Sequence, residues 1–308
     1  MKEKLKELNC SNCGSTLDIW SNAIDIEYGA MPDFIDLTSY YECKACEILI
    51  AHPQLSEHLN QIYPKNYYSF ANSSGLLSNL KKVFDFRLVR SWLNAGNFDK
   101  SEKLRVADLG GGVGYFGRLV AEVIQNSEIT VVDFDNMPNK NLDNFKFQRV
   151  DLNQSFPFGE YDLIIAWNIL EHLSSPSQFL NSCLNHLSIN GHLAIQTPNY
   201  KSLNARLFKR TYWGGLHAPR HFTIYSGKSL LKEIEKMKFE VVKVKYVQGA
   251  HFWAVSCCKV LGLRGNSTKS IHSYKTYNVF LFIFAVLDSF LSRFSKTSQI
   301  QILARVKV

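Results

Sequence analysis

This 308-residue chain has no apolar run long enough to cross a bilayer. The longest runs only from Val279 to Leu287 (VFLFIFAVL), and Asp288 and Arg293 interrupt its continuation. The first residues, MKEKLKELNC, carry charge but no apolar segment, so a secretory signal is not expected. Acid is scarce near the C-terminus: from Lys259 to Val308 eight Lys/Arg face the single acid Asp288. The whole chain is +8, so the residues before Lys259 are nearly neutral. That distribution excludes a uniformly basic nucleic-acid-binding domain and leaves a basic tail. Seven cysteines, four of them in two C-x-x-C pairs, do not make a disulfide framework. They suit a reducing, cytoplasmic compartment. The remaining composition, 46% hydrophobic and 20% charged, is that of a globular protein.

The most informative stretch is LRVADLGGGVGYFG, residues 104–117. A short apolar strand, Leu104 to Leu109, runs into a turn holding Gly110, Gly111, Gly112 and Gly114. Phe116, Leu119, Val120, Val123 and Ile124 then recur at helical spacing. A second apolar strand, Ile129 to Val132, ends in Asp133. Strand, glycine turn, helix, strand and acid make a nucleotide-binding half-fold. Glycines let the backbone approach a ligand closely. An acid about 20 residues beyond the turn can accept hydrogen bonds from ribose hydroxyls. Further strands are predicted at 145–150, 161–167, 191–197 and 239–247, with helices between them. This alternation argues an α/β domain with a mostly parallel sheet.

Near the N-terminus, Cys10 and Cys13 (CSNCG) and Cys43 and Cys46 (ECKACE) form two knuckles. Two such pairs predict a closed four-cysteine zinc site, structural because four thiolates leave no open position. Thr16 to Trp20 and Ser39 to Glu42 read as strands of a small ribbon. The chain therefore divides into a zinc-ribbon unit (1–60), a connector with a helix (61–99), the α/β domain (100–255) and a basic tail with an apolar helix and a final strand (256–308). Helix 277–294 has a broad apolar face and a narrow polar stripe through Asn278, Asp288, Ser289 and Ser292. Two readings stand: it packs on the domain or a second subunit, or it lies on the inner membrane face, helped by Lys275, Arg293 and Lys296.

Read from Asp108, the turn is D-x-G-x-G-x-G. Here the chain resembles the Rossmann-like S-adenosylmethionine-dependent methyltransferases. The resemblance implies that Asp108, Gly110, Gly112, Gly114, Asp133, Asp151, Leu152 and Asn168 contact the cofactor; for Asp108 a second reading stands beside this, a hydrogen bond to the turn backbone instead of the ligand. Asp133 would hold the ribose and Asp151, in RVDLNQSFPF, the adenine amino group. YDLIIAWNILEHLSSP looks like the fourth strand and the loop over the methionine end. The resemblance also implies a seven-stranded sheet with one antiparallel strand near the C-terminus. The zinc unit, YPKNYYSF, the α/β domain and HAPRHFTIYSGKSL in that order are similar to bacterial sugar and surface-polysaccharide methyltransferases. Those that methylate carbon usually carry a further C-terminal domain, so the length here favours a hydroxyl acceptor. His217 and His221, in GGLHAPRHF, are the catalytic candidates, since histidine titrates near neutral pH. Arg220 is a candidate contact for an acidic sugar or phosphate. Tyr67 and Tyr68 either close over the cofactor or pack. The alternatives are a quinone-type O-methyltransferase, an RNA methyltransferase, and a non-catalytic cofactor-binding partner protein.

Overall fold

A computed structural model describes residues 8–35, 37–64, 67, 76–99, 101–134, 145–157, 159–247, 249–266, 268–293 and 297–307. Along the chain, β1 (Asp18–Ala23), β2 (Thr38–Cys43) and β3 (Ile48–His52) precede a one-turn helix α1 (Leu59–Ile62) and a long one, α2 (Leu76–Ala95). Alternation follows: β4 (Leu104–Leu109), α3 (Tyr115–Val123), β5 (Ser127–Asp133), β6 (Phe145–Arg149) and β7 (Tyr161–Trp167). Next come α4 (Pro176–His186), β8 (Leu187–Pro198), α5 (Leu203–Phe208), β9 (Thr223–Tyr225) and α6 (Gly227–Lys236). The chain ends with β10 (Phe239–Val247), α7 (Ala250–Val260), α8 (Lys275–Leu291) and β11 (Gln299–Val306). Tyr68 and Lys296 lie outside the described residues.

Two compact units emerge, each discontinuous in sequence, where the sequence reads as four consecutive segments. The α/β unit comprises residues 65–197, 231–246 and 300–308. Its seven strands run in the order β10-β11-β8-β7-β4-β5-β6. The pairs β4–β5, β4–β7, β5–β6 and β7–β8 are parallel. β11 runs the other way. Gln301, near its start, meets Gln196 at the end of β8, while the Lys307 N–H, past its end, donates to Lys238 just before β10. The central strands are buried almost throughout, as parallel strands covered on both faces must be. Val106, Ile129, Val131, Leu163 and Ile165 form the middle of the core. α3 adds Phe116, Leu119 and Val120, the residues its periodicity singles out. β8 begins earlier than its apolar pattern suggests. Its pairing with β7 slips between Leu187 and His192, around Asn190 with φ 67°.

The second unit comprises residues 1–64, 198–230 and 247–299. Its sheet, β1-β2-β3-β9, is antiparallel in every pair. Residues far apart in sequence thus share it: Ile48, Leu49 and Ile50 pair with Tyr225, Ile224 and Thr223. Trp20, Tyr40 and Leu49 from the ribbon share one core with Trp213, Leu216, Phe252, Val255 and Ile271. Trp20 meets Trp213 edge-on at 6.2 Å. Each such buried side chain contributes about 1.5–3 kcal/mol.

Candidate functional site

The register of the α/β sheet builds its carboxyl edge. Leu109 pairs with Val132 on one side and Ala166 on the other. The glycine turn after β4, Asp133 at the end of β5 and Asn168 just past β7 therefore emerge side by side. In the turn, Gly110, Gly112 and Gly114 have φ of 65°, 53° and 76°. At Gly110 a Cβ would also come within 2.8 Å of Ile169, so only glycine fits. The Gly112 N–H donates to Asp133 Oδ2 at 2.9 Å, and the Phe134 N–H donates to Oδ1 at 2.8 Å.

Asp108 sits below the turn. It is fully buried, and its Oδ2 accepts the Gly117 N–H at 2.9 Å. Burial, helped by the nearby Asp133 charge and opposed by the Gly117 bond, pushes its carboxyl up to about 7. Asp151 opens the turn after β6: its side chain accepts the Asn153 N–H and the Gln154 amide, both at 2.9 Å. Leu152 lies within that turn, half-buried. Asn168, with φ 50°, accepts from Gln196 at 3.2 Å, and Gln196 accepts from Gln301 at 2.8 Å. Sequence reasoning covers the EHL segment without singling out Glu171. Its Oε2 accepts the Thr197 hydroxyl at 2.9 Å, and burial pushes it up to about 8. A raised acid at the carboxyl edge is a neutral hydrogen-bond donor at physiological pH.

In the other unit the four cysteines converge. All four Sγ atoms lie within 4.8 Å of one another, with Cys13–Cys43 at 3.5 Å and Cys10–Cys46 at 4.0 Å. None is in a disulfide. A tetrahedral zinc with bonds of about 2.3 Å requires sulfur–sulfur edges of about 3.8 Å, so the set fits zinc. The two knuckles match: the residue after each second cysteine, Gly14 or Glu47, is left-handed at φ 72° or 54°. Glu47 is held there by Ser226 N–H and Ser229 Oγ, which donate to its carbonyl at 3.1 and 2.7 Å.

His217 and His221 belong to this unit and are both buried. His217 Nδ1 lies 2.6 Å from Glu27 Oε1, and His272 Nε2 lies 2.9 Å from Oε2. Burial alone would raise Glu27, but the two histidines outweigh it and hold the carboxyl well below its usual range. His221 Nδ1 is 2.8 Å from the Gly215 carbonyl. A carbonyl only accepts, so Nδ1 carries the proton and Nε2 the basic lone pair of neutral His221. Arg220 departs from the expectation of an acid contact. It is fully buried, 2.6 Å from Asp25, whose oxygens also accept the Glu27, Tyr28 and Ala30 N–H groups. Its charge is spent on pinning the β1–β2 connection. Asp25 and Glu27 escape sequence reasoning because no spacing links them to residues some 190 positions away.

Comparison with known proteins places this geometry. The family model described as "Methyltransferase domain" matches residues 58–244. The chain belongs to this methyltransferase family. S-adenosylmethionine is the methyl donor that the assignment carries with it. Malonyl-[acyl-carrier protein] O-methyltransferase of Bacillus cereus is 28% identical over 111 residues, which span 34% of this chain and 41% of that protein. Among solved structures, a candidate sarcosine dimethylglycine methyltransferase from Galdieria sulphuraria superposes with a TM-score of 0.50 at 12% identity, over 73% of this chain and 86% of its own. A coclaurine N-methyltransferase bound to N-methylheliamine and S-adenosylhomocysteine is a looser likeness, with TM-score 0.47, 16% identity and coverage of 77% and 76%. The methyltransferase sheet is seven-stranded and mostly parallel, as its sequence predicts. The cradle at Gly110, where only glycine fits, and the Asp133 carboxylate held beside it by the Gly112 and Phe134 N–H groups fit the amino-acid portion and ribose of the cofactor.

Proposed function

We propose that this methyltransferase transfers the methyl group of S-adenosylmethionine to a hydroxyl of a sugar or lipid-linked glycan intermediate in surface-polysaccharide synthesis. The observation that carries the transfer chemistry is the pairing of the glycine turn with Asp133 at one sheet edge, Gly112 N–H to carboxylate. The cofactor supplies an electrophilic methyl group, so the protein's task is to align an acceptor and remove its proton. His221 and His217 are our candidates for that task. The tautomer fixed at His221 by Gly215 leaves Nε2 as the accepting nitrogen, and Glu27 orients the His217 ring through Nδ1. Gly110, Gly112, Gly114, Asp133, Asp151, Leu152 and Asn168 are the proposed cofactor contacts, with Asp108 bracing the turn. Zinc at Cys10, Cys13, Cys43 and Cys46 holds the ribbon.

The glycan acceptor rests on the order of zinc unit, α/β domain and HAPRHF segment. The pairing of β9, which follows HAPRHF, with β3 gives that order a structural reason. A second reading, carboxyl methylation of an acyl thioester, is favoured only by the likeness to the Bacillus cereus enzyme. Incubation of the purified protein with methyl-labelled cofactor and fractionated cell extract tests the proposal. Label is expected in lipid-linked glycans or nucleotide sugars. Label in acyl-carrier protein, quinones or RNA would overturn the acceptor. His221→Asn, whose amide can still donate to the Gly215 carbonyl, is expected to keep cofactor binding and lose transfer.

A further inference from the structure

Helix α8 turns one stripe of apolar residues outward and its one acid inward. Val279, Phe282, Ile283, Val286, Leu287 and Phe290 are 40–63% exposed. Their spacing puts them on one stripe of the helix. Asp288 is buried instead. Its Oδ2 accepts the Gly249 N–H at 2.7 Å and its Oδ1 the Trp253 indole N–H at 3.2 Å. On the same inner side Phe284 stacks on Trp253 at 4.8 Å, and Tyr277 is buried in the core. The helix is therefore fixed in rotation by contacts with α7, and the exposed stripe is its settled outer face. By sequence Asp288 reads as part of a polar stripe; in the fold it is the tether. A contiguous apolar surface of this extent marks an interaction site.

Charge decides what meets it. Segments 198–230 and 247–299, which supply α5, α7 and α8, hold twelve Lys/Arg and a single acid, the buried Asp288. Arg206, Arg210, Arg264, Lys275 and Arg293 are exposed. Among the described residues none of these five forms an ion pair.

We propose that this unit seats α8 on an anionic lipid bilayer, with the apolar stripe at the acyl boundary and the basic side chains among the phosphates. Nucleic acid would satisfy the cations but not six apolar side chains. A second copy of the chain would cover the stripe but bring like charges together. With 17 residues and one side committed to α7, α8 lies on the surface and does not cross it. No helix among the described residues is long and apolar enough to span a membrane. The inference deepens the proposed function, because a lipid-linked acceptor is presented at such a surface.

The test is flotation of the full-length protein with phosphatidylglycerol/phosphatidylcholine vesicles and with phosphatidylcholine alone, beside sedimentation without lipid. Binding to the anionic vesicles is expected, roughly tenfold weaker on the neutral ones or at about 0.5 M salt. The triple variant F282S/V286S/F290S, altered only on the exposed stripe, is expected to bind about tenfold more weakly or worse with an unchanged melting curve. Failure of the native protein to float, or equal binding by the variant, would overturn the proposal. So would a lipid-free dimer that the same substitutions dissociate. Flotation reads no methyl transfer, so its failure would leave the acceptor assay standing.

Discussion

Two buried acids carry opposite electrostatic loads, and each predicts a pH response. Asp108 is raised by burial from its usual 3.8 to about 7, so the folded chain holds its proton more tightly than the unfolded chain. Its contribution to stability is complete below about pH 4 and is lost as pH rises through 7. Asp108→Asn, which can still accept the Gly117 N–H, removes that loss. Denaturation at pH 5 and pH 8 should show the variant gaining on the native chain by about 2–4 kcal/mol at the higher pH. A pH-independent difference would contradict the assignment. Glu27 is the reverse case, held low by His217 and His272 against its own burial. Its contribution is present above about pH 4.5 and is lost as pH falls through the depressed value. Glu27→Gln disrupts the buried hydrogen bonds to His217 and His272, which costs about 1.5–3 kcal/mol at pH 7. The gap to the native chain should narrow in acid, read by urea unfolding across pH. Asp108 is legible in the sequence because it belongs to a motif with fixed spacing. Glu27 is not, since only the fold brings it to His217.

At the scale of elements, local pattern serves well where an element's own residues decide its fate. β4 and β7 have the ends that apolar runs and flanking breakers suggest, and the helix expected in the connector is α2, Leu76–Ala95. The start of β8 is hidden, because a slipped pairing through Ser188–Gly191 breaks the apolar alternation while the strand continues. The face of α8 is hidden too. Composition shows a broad apolar surface, but which side is buried depends on the Asp288 anchor to α7. β9 is three residues long and gains strand character only by pairing with β3. That pairing predicts how far metal loss spreads. Cys43 is both a proposed ligand and the last residue of β2, so Cys43→Ser or chelation should release about one zinc per chain. Backbone amides of β2, β3 and β9 should then exchange with deuterium together. Release of metal with β9 still protected would show that β9 does not depend on the knuckles.

For the whole molecule, the methyltransferase reading rests on one edge of one sheet. That edge is legible in the sequence because glycine turn, helix and acid lie within thirty residues and constrain one another. The division into compact units is not legible, because segments 198–230 and 247–299 join the ribbon through long-range packing that leaves no periodic trace. The histidine cluster belongs to the same blind spot: Glu27 meets His217 and His272 from distant stretches of the chain. In the proposed function, Asp133 and the glycine turn hold the cofactor. Titration calorimetry of S-adenosylhomocysteine against the native protein and Asp133→Ala tests it most directly. A charged hydrogen bond is worth about 1.5–3 kcal/mol, so the native protein should bind and the variant should bind about 10–100-fold more weakly with its fold intact. No binding by the native protein, or equal affinity in the variant, would contradict the account.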